Sequence, residues 1–104
     1  MAQCHKFLPS PSTVHWGYFD GTLPSIGEIA SGDTLIIETI SGGPSDLPDD
    51  QSLEVLPVHR DIHAKCQRDG GGHILTGPIS IKNAKPGDML EVKIKDIELN
   101  FNWG

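Results

Sequence analysis

An all-β sandwich or barrel carrying one short helix is the fold class this sequence predicts, on three observations. Twelve glycines and eight prolines among 104 residues punctuate the chain into short apolar segments. Several of those segments alternate apolar and polar residues, the period of a strand with one face buried. One segment alone, residues 56–68, repeats its apolar residues at helical spacing. Evenly punctuated short strands of this kind close into sandwiches or barrels, and the length fits one domain, residues 1–104.

Taken in order, residues 13–20 place Val14, Trp16 and Tyr18 on one side and Thr13, His15, Gly17 and Phe19 on the other. Residues 33–40 align Leu35, Ile37 and Thr39, while Ile36 and Ile40 on the opposite row predict burial on both faces. Residues 41–52, rich in Gly, Pro, Asp and Ser, read as a surface loop. In the helical segment Val58, Ile62 and Cys66 fall four apart, Pro57 suits the first turn, Asp61 and Lys65 form an i,i+4 pair, and Gly70-Gly71-Gly72 ends the run. Residues 73–81 align His73, Leu75, Gly77, Ile79 and Ile81, and residues 89–94 align Leu90, Val92 and Ile94 against Glu91 and Lys93. Beyond Lys95-Asp96 the apolar row moves to Ile97, Leu99, Phe101 and Trp103, which predicts a bulge or a bend there. Ser31-Gly32-Asp33-Thr34-Leu35 echoes Pro86-Gly87-Asp88-Met89-Leu90, the mark of two equivalent turns, each opening a strand.

Composition narrows the function. Eight basic against fourteen acidic residues give a net charge of −6, which argues against a phosphate-binding face and hence against nucleic acid. No apolar run approaches the roughly 20 residues that span a bilayer, and Met1-Ala2-Gln3-Cys4-His5-Lys6 lacks the apolar stretch of a secretory signal. A cytoplasmic domain without membrane contact is the expectation. Cys4 and Cys66 form neither a disulfide framework nor a metal knuckle and read as ordinary thiols.

Five histidines invite a search for chemistry. His59 and His63 lie one helical turn apart, but Arg60-Asp61 stands where a zinc-protease helix has its Glu, so the pair reads as two solvated side chains. A blue-copper site fails because no Met lies near His63-Ala64-Lys65-Cys66. His15 and His73 each sit in a strand-like run beside bulky apolar residues, where an imidazole can ligate a metal, act as a base or bond a backbone carbonyl. Asp33 and Asp88 follow glycine and read as turn acceptors. Glu38, on a strand with two apolar faces, needs a partner and is the stronger carboxylate. Asp20 can serve the chemistry or accept in the turn Phe19-Asp20-Gly21-Thr22.

Four motifs then occur in one order: residues 13–20 (TVHWGYFD), 31–39 (SGDTLIIET), 73–79 (HILTGPI) and 85–92 (KPGDMLEV). Together they resemble the N-terminal region of the acetamidase/formamidase family. The resemblance implies a jelly-roll-like β-sandwich and hydrolysis of a small aliphatic amide, formamide or acetamide, to carboxylate and ammonia. It implies His15 and His73 as catalytic residues, followed by Glu38 and Asp20. Trp16 and Tyr18 would wall a small pocket that Thr76 and Gly77 help to shape. A divalent ion, zinc foremost, on His15 and His73 would activate water and stabilise the oxyanion. Family members continue into a second region bearing Asp-x-His-Ala-x-Gln-Gly-Asp-Gly-Glu, absent here, so an N-terminal fragment is expected, incomplete as a catalyst on its own. The expected partners are the small amide and further copies of the chain in a homo-oligomer. The competing expectation is a non-catalytic β-sandwich module that assembles through the apolar edge of Leu99, Phe101 and Trp103.

Overall fold

The computed structural model describes residues 2–66 and 71–103. Strands form inside the alternating runs but are shorter than the runs themselves. Strand β1 (Cys4–Phe7) pairs in parallel with β4 (Thr34–Ile37), Cys4 facing Thr34 and Phe7 facing Ile37. Strand β2 (Val14–Trp16) pairs antiparallel with β5 (Ile74–Thr76), so that His15 faces Leu75. Strand β3 (Gly27–Ile29) pairs in parallel with β6 (Ile79–Ile81). The strands form three separate two-stranded sheets among the described residues, with one helix, α1 (Pro57–Lys65). Among the described residues the regular elements are thus mostly strands, with a single α-helix and one 3-10 turn at Pro44–Asp46, as composition and period predict.

The strand predicted over residues 73–81 is two strands, because Pro78 has no N–H to give a ladder and Gly77 turns at φ +133°. The helix begins with Pro57 after Leu56 as predicted, and its Asp61–Lys65 ion pair forms at 2.9 Å. It ends at Lys65, with Cys66 already extended at ψ 129°. The expected helical end at Arg68 and the first glycine of the terminating run, Gly70, lie outside the described residues. Residues 88–100 form no strand among the described residues, although 89–94 alternate as cleanly as any run in the chain. Alternation fixes which side chains share a face; a ladder also needs backbone partners, and the one hydrogen bond these residues make with a described strand is by side chain, Lys95 Nζ donating to Thr34 Oγ1 of β4 at 3.5 Å.

Both predicted turns form, and they are equivalent. Gly32 and Gly87 take φ of +90° and +96°. The Asp33 carboxylate accepts the Ala30 N–H at 2.9 Å, and Asp88 accepts that of Lys85 at the same distance. Asp33 does more than turn the chain. It also accepts the Gln3 N–H at 3.0 Å and lies 2.8 Å from His5 Nε2, clasping β1 to β4. The backbone N–H bonds of Ala30 and Gln3, then the His5 contact, hold its carboxyl down at about 2.

The core is small: Trp16, Ile40, Ile62 and Ile74 are buried, flanked by Val14, Leu56, Val58, Cys66 and Phe101. It lies where α1 covers the Trp16–Ile74 row of the β2–β5 ladder. Next to that ladder, a Cβ built on Gly71 would sit 2.5 Å from the Gly17 Cα, so the two backbones approach closer than any side chain allows. Gly71 also holds φ +66°.

Gly71→Ala therefore combines left-handed strain, about 1–2 kcal/mol, with a backbone clash. Thermal unfolding followed by circular dichroism should show a Tm lower by roughly 10 °C or more. Gly21→Ala, where a Cβ meets nothing within 4 Å, should stay within about 3 °C of the parent.

Candidate functional site

The β2–β5 ladder sorts the candidate residues. Gly17 N–H bonds the His73 carbonyl at 3.0 Å and Gly77 N–H bonds that of Thr13 at 2.9 Å, which extends the register beyond the strands at both ends. Side chains alternate across the ladder, so Val14, Trp16, Ile74 and Thr76 share the core row, and His15, Leu75 and His73 share the other. His15 and His73 are thereby diagonal neighbours on one face, a spacing of roughly 7–8 Å for such pairs.

Their rings engage different partners. His15 Nε2 lies 3.1 Å from the Tyr18 carbonyl oxygen and its Nδ1 lies 3.3 Å from that of Gly77. A neutral imidazole carries one N–H and donates to one of these carbonyls; the protonated ring donates to both. His73 is exposed, and its Nδ1 meets Ser41 Oγ at 3.2 Å.

An open groove of about 400 Å³ runs beside the ladder. It gathers His15, Trp16, Tyr18 and Asp20 of the sequence candidates and adds Lys65 and Cys66 from the end of α1. Trp16 is buried at its base, while the Tyr18 ring is exposed. Asp20 accepts the Thr22 hydroxyl at 2.6 Å and the Thr22 N–H at 2.9 Å. Those two bonds pull its carboxyl below the usual range, and the His15 charge adds to the effect. Asp20 is thus both a turn acceptor and the fixed anion of the groove.

The remaining candidates lie off the groove. Glu38 faces Lys6, Oε1 to Nζ 3.7 Å, in a half-exposed ion pair. Gly77 serves through its carbonyl on His15. Thr76 Oγ1 is buried and has no hydrogen-bond partner among the described residues. The sequence marks Lys65 only as an ion-pair partner and Cys66 only as an ordinary thiol, because nothing in a helix end announces which strand it meets. The Cys66 thiol is pushed up by burial and by Asp61, and it donates to the Pro11 carbonyl at 3.3 Å, which keeps it protonated. Among the described residues no three His, Cys, Asp or Glu side chains come together to hold a metal ion. The ion expected on His15 and His73 therefore finds no complete ligand set here.

The helix histidines are not the two solvated side chains the spacing suggests: one is buried and the other, His63, is half-buried. His59 is 1% exposed, and its Nε2 and that of His63 both donate to the Gly42 carbonyl, at 3.1 and 2.8 Å. The His63 ring stacks on Trp16 at 5.9 Å between centroids, and His59 stacks on Trp103 at 6.3 Å. The Trp103 indole N–H in turn donates to the Glu54 carbonyl. Both imidazoles join α1 to the 41–47 loop through one carbonyl, a link that periodicity does not reveal.

Comparison with known proteins bears on the same residues. Residues 9–104 match the model of the acetamidase/formamidase family. A Schizosaccharomyces pombe protein named "Putative formamidase" is 32% identical over 84 residues, covering 79% of this chain and 18% of that protein. The chain thus spans less than a fifth of the length of this curated relative. No solved structure matches it.

The His59 geometry sets a pH dependence. Burial, then the charges of His63 and Arg60, lower its proton affinity, against the Gly42 hydrogen bond, from an ordinary value of 6.5. The unfolded chain binds the proton first, so this stability is full above about pH 6.5 and declines as pH falls below it. Tm measured from pH 7.5 down to 5 should drop, and His59→Gln should flatten that slope. An unchanged slope in the variant contradicts the assignment.

Proposed function

Since the chain belongs to the acetamidase/formamidase family, we propose that it supplies part of the site of an amidohydrolase acting on a small linear amide, formamide or acetamide. In that reaction water adds to the carbonyl carbon, the C–N bond breaks, and nitrogen leaves as ammonia once it has taken a proton. The products are a carboxylate and ammonium. An amide resists attack because its nitrogen is a poor leaving group unless protonated, so the site needs a group that holds and delivers a proton.

The single observation that carries this reading is the His15 ring, set in an open groove with Asp20 at its rim. His15 can lend a proton to the departing nitrogen while one ring nitrogen keeps its carbonyl partner. The Trp16 and Tyr18 rings bound a space suited to a short aliphatic chain. His73 is the second imidazole of the same ladder face, and Glu38 is the reserve carboxylate. Oxyanion donors, and any metal ligands, come in this proposal from the longer family chain, whose strands would also complete a jelly-roll-like sandwich.

A second reading, an assembly module without catalysis, is favoured by a different observation. Met89, Leu90, Val92, Ile94, Ile97 and Leu99 are all exposed.

Ammonia release from formamide and acetamide distinguishes the two, assayed on this chain and on a longer form carrying the downstream region. Release by the longer form is expected, with a fall of about 100-fold or more in His15→Ala. Full activity in both His15→Ala and His73→Ala contradicts the site.

A further inference from the structure

Amide hydrolysis changes the charge of what the groove holds. The substrate is uncharged and its nitrogen carries N–H donors, whereas the carboxylate product is an anion with none. A side chain that answers those two differently decides which of them stays.

Asp20 is built for that distinction. Both bonds from Thr22, backbone and hydroxyl, end on Oδ1, and among the described residues nothing bonds Oδ2. One oxygen thus fixes the carboxylate while the other keeps its lone pairs free, on an exposed residue that lines the groove. The cation of the groove is already engaged, with Lys65 Nζ 2.9 Å from Asp61. The Cys66 thiol gives its hydrogen to the Pro11 carbonyl, and both His15 nitrogens face carbonyls. The uncommitted charge at the groove is therefore negative. The Thr22 bonds also hold the Asp20 carboxyl below its usual range, which makes it a weak base and a persistent acceptor.

We propose that Asp20 determines the specificity of the groove: Oδ2 accepts an N–H of an unsubstituted amide, and the carboxylate charge expels the acid product. The inference rests on the amide reading above and gives the groove a preference for neutral donors over anions of the same shape. An ionised acceptor strengthens a hydrogen bond, and a like charge in the same position opposes binding.

Acetamide and acetate share one shape and differ in this property alone, so they are the probes. Each is titrated into the 104-residue chain by NMR, read at the Thr22 N–H that donates to Asp20. Acetate should bind about fivefold or more weakly than acetamide. Asp20→Asn keeps an oxygen for Thr22 and puts an NH2 donor in place of Oδ2. It should weaken acetamide and tighten acetate, each by about threefold or more, whereas damage to the fold weakens both. In the parent chain, salt at about 1 M, where screening acts within about 3 Å, should narrow the gap. That measurement decides the matter if the variant does not fold. Equal binding of the two probes by the parent, binding of neither, or a folded variant that loses both overturns the proposal. Ammonia release by the longer form separates the two failures. Release there without a preference here defeats this inference alone, and a preference without release upholds the Asp20 selectivity and defeats the catalytic reading.

Discussion

The register of one short antiparallel ladder decides what the rest of the molecule can be. With His15 opposite Leu75, the pleat sends Val14, Trp16, Ile74 and Thr76 toward α1 and sends His15 and His73 away from it. A slip by one residue would exchange those rows, burying imidazoles in the core and stranding Trp16 in water. The glycines beside the ladder hold this register: Gly17 and Gly71 let two backbones meet where a Cβ would not fit. Core, groove and histidine face are therefore consequences of a single pairing.

Around that ladder the polar groups do structural work before any chemistry. Two imidazoles share the Gly42 carbonyl and fasten α1 to its preceding loop. One carboxylate, Asp33, gathers two backbone N–H groups and His5 to fasten β1. His15 differs from these in lining an open groove, with two carbonyls within reach and an anion beside it. That contrast separates it from His59 and His63, whose positions are filled by packing.

Features written in a few adjacent residues were legible before the structure. Gly-Asp set both turns because glycine supplies a positive φ and aspartate satisfies the N–H three residues earlier. Pro57 marked the helix start, and alternation marked β2, β4 and β5. Pairing partners were illegible, because a strand's neighbour is chosen by backbone groups that carry no side-chain signature. Cys4–Phe7, with the residues Cys-His-Lys-Phe, has little of a strand's apolar period, yet it pairs in full with β4. The burial of His59 was equally hidden, since its acceptor is a glycine carbonyl 17 residues away. Within the candidate site, spacing found His15 and the aromatic pair, whereas the approach of Lys65 and Cys66 depends on how α1 crosses the ladder. The same limit applies to residues 89–95: the pattern says strand, and it carries no sign of the neighbour.

Solution NMR of the chain tests the ladder most directly. Hydrogen-bonded pairs recur at every second position, so the backbone bonds at Gly17–His73 and Thr13–Gly77 make Val14–Thr76 and Trp16–Ile74 the close pairs. Strong Hα–Hα cross-peaks between Val14 and Thr76, and between Trp16 and Ile74, are the predicted result. Cross-peaks that instead join Trp16 to Leu75 or to His73 would place the histidines on the wrong face and contradict the account.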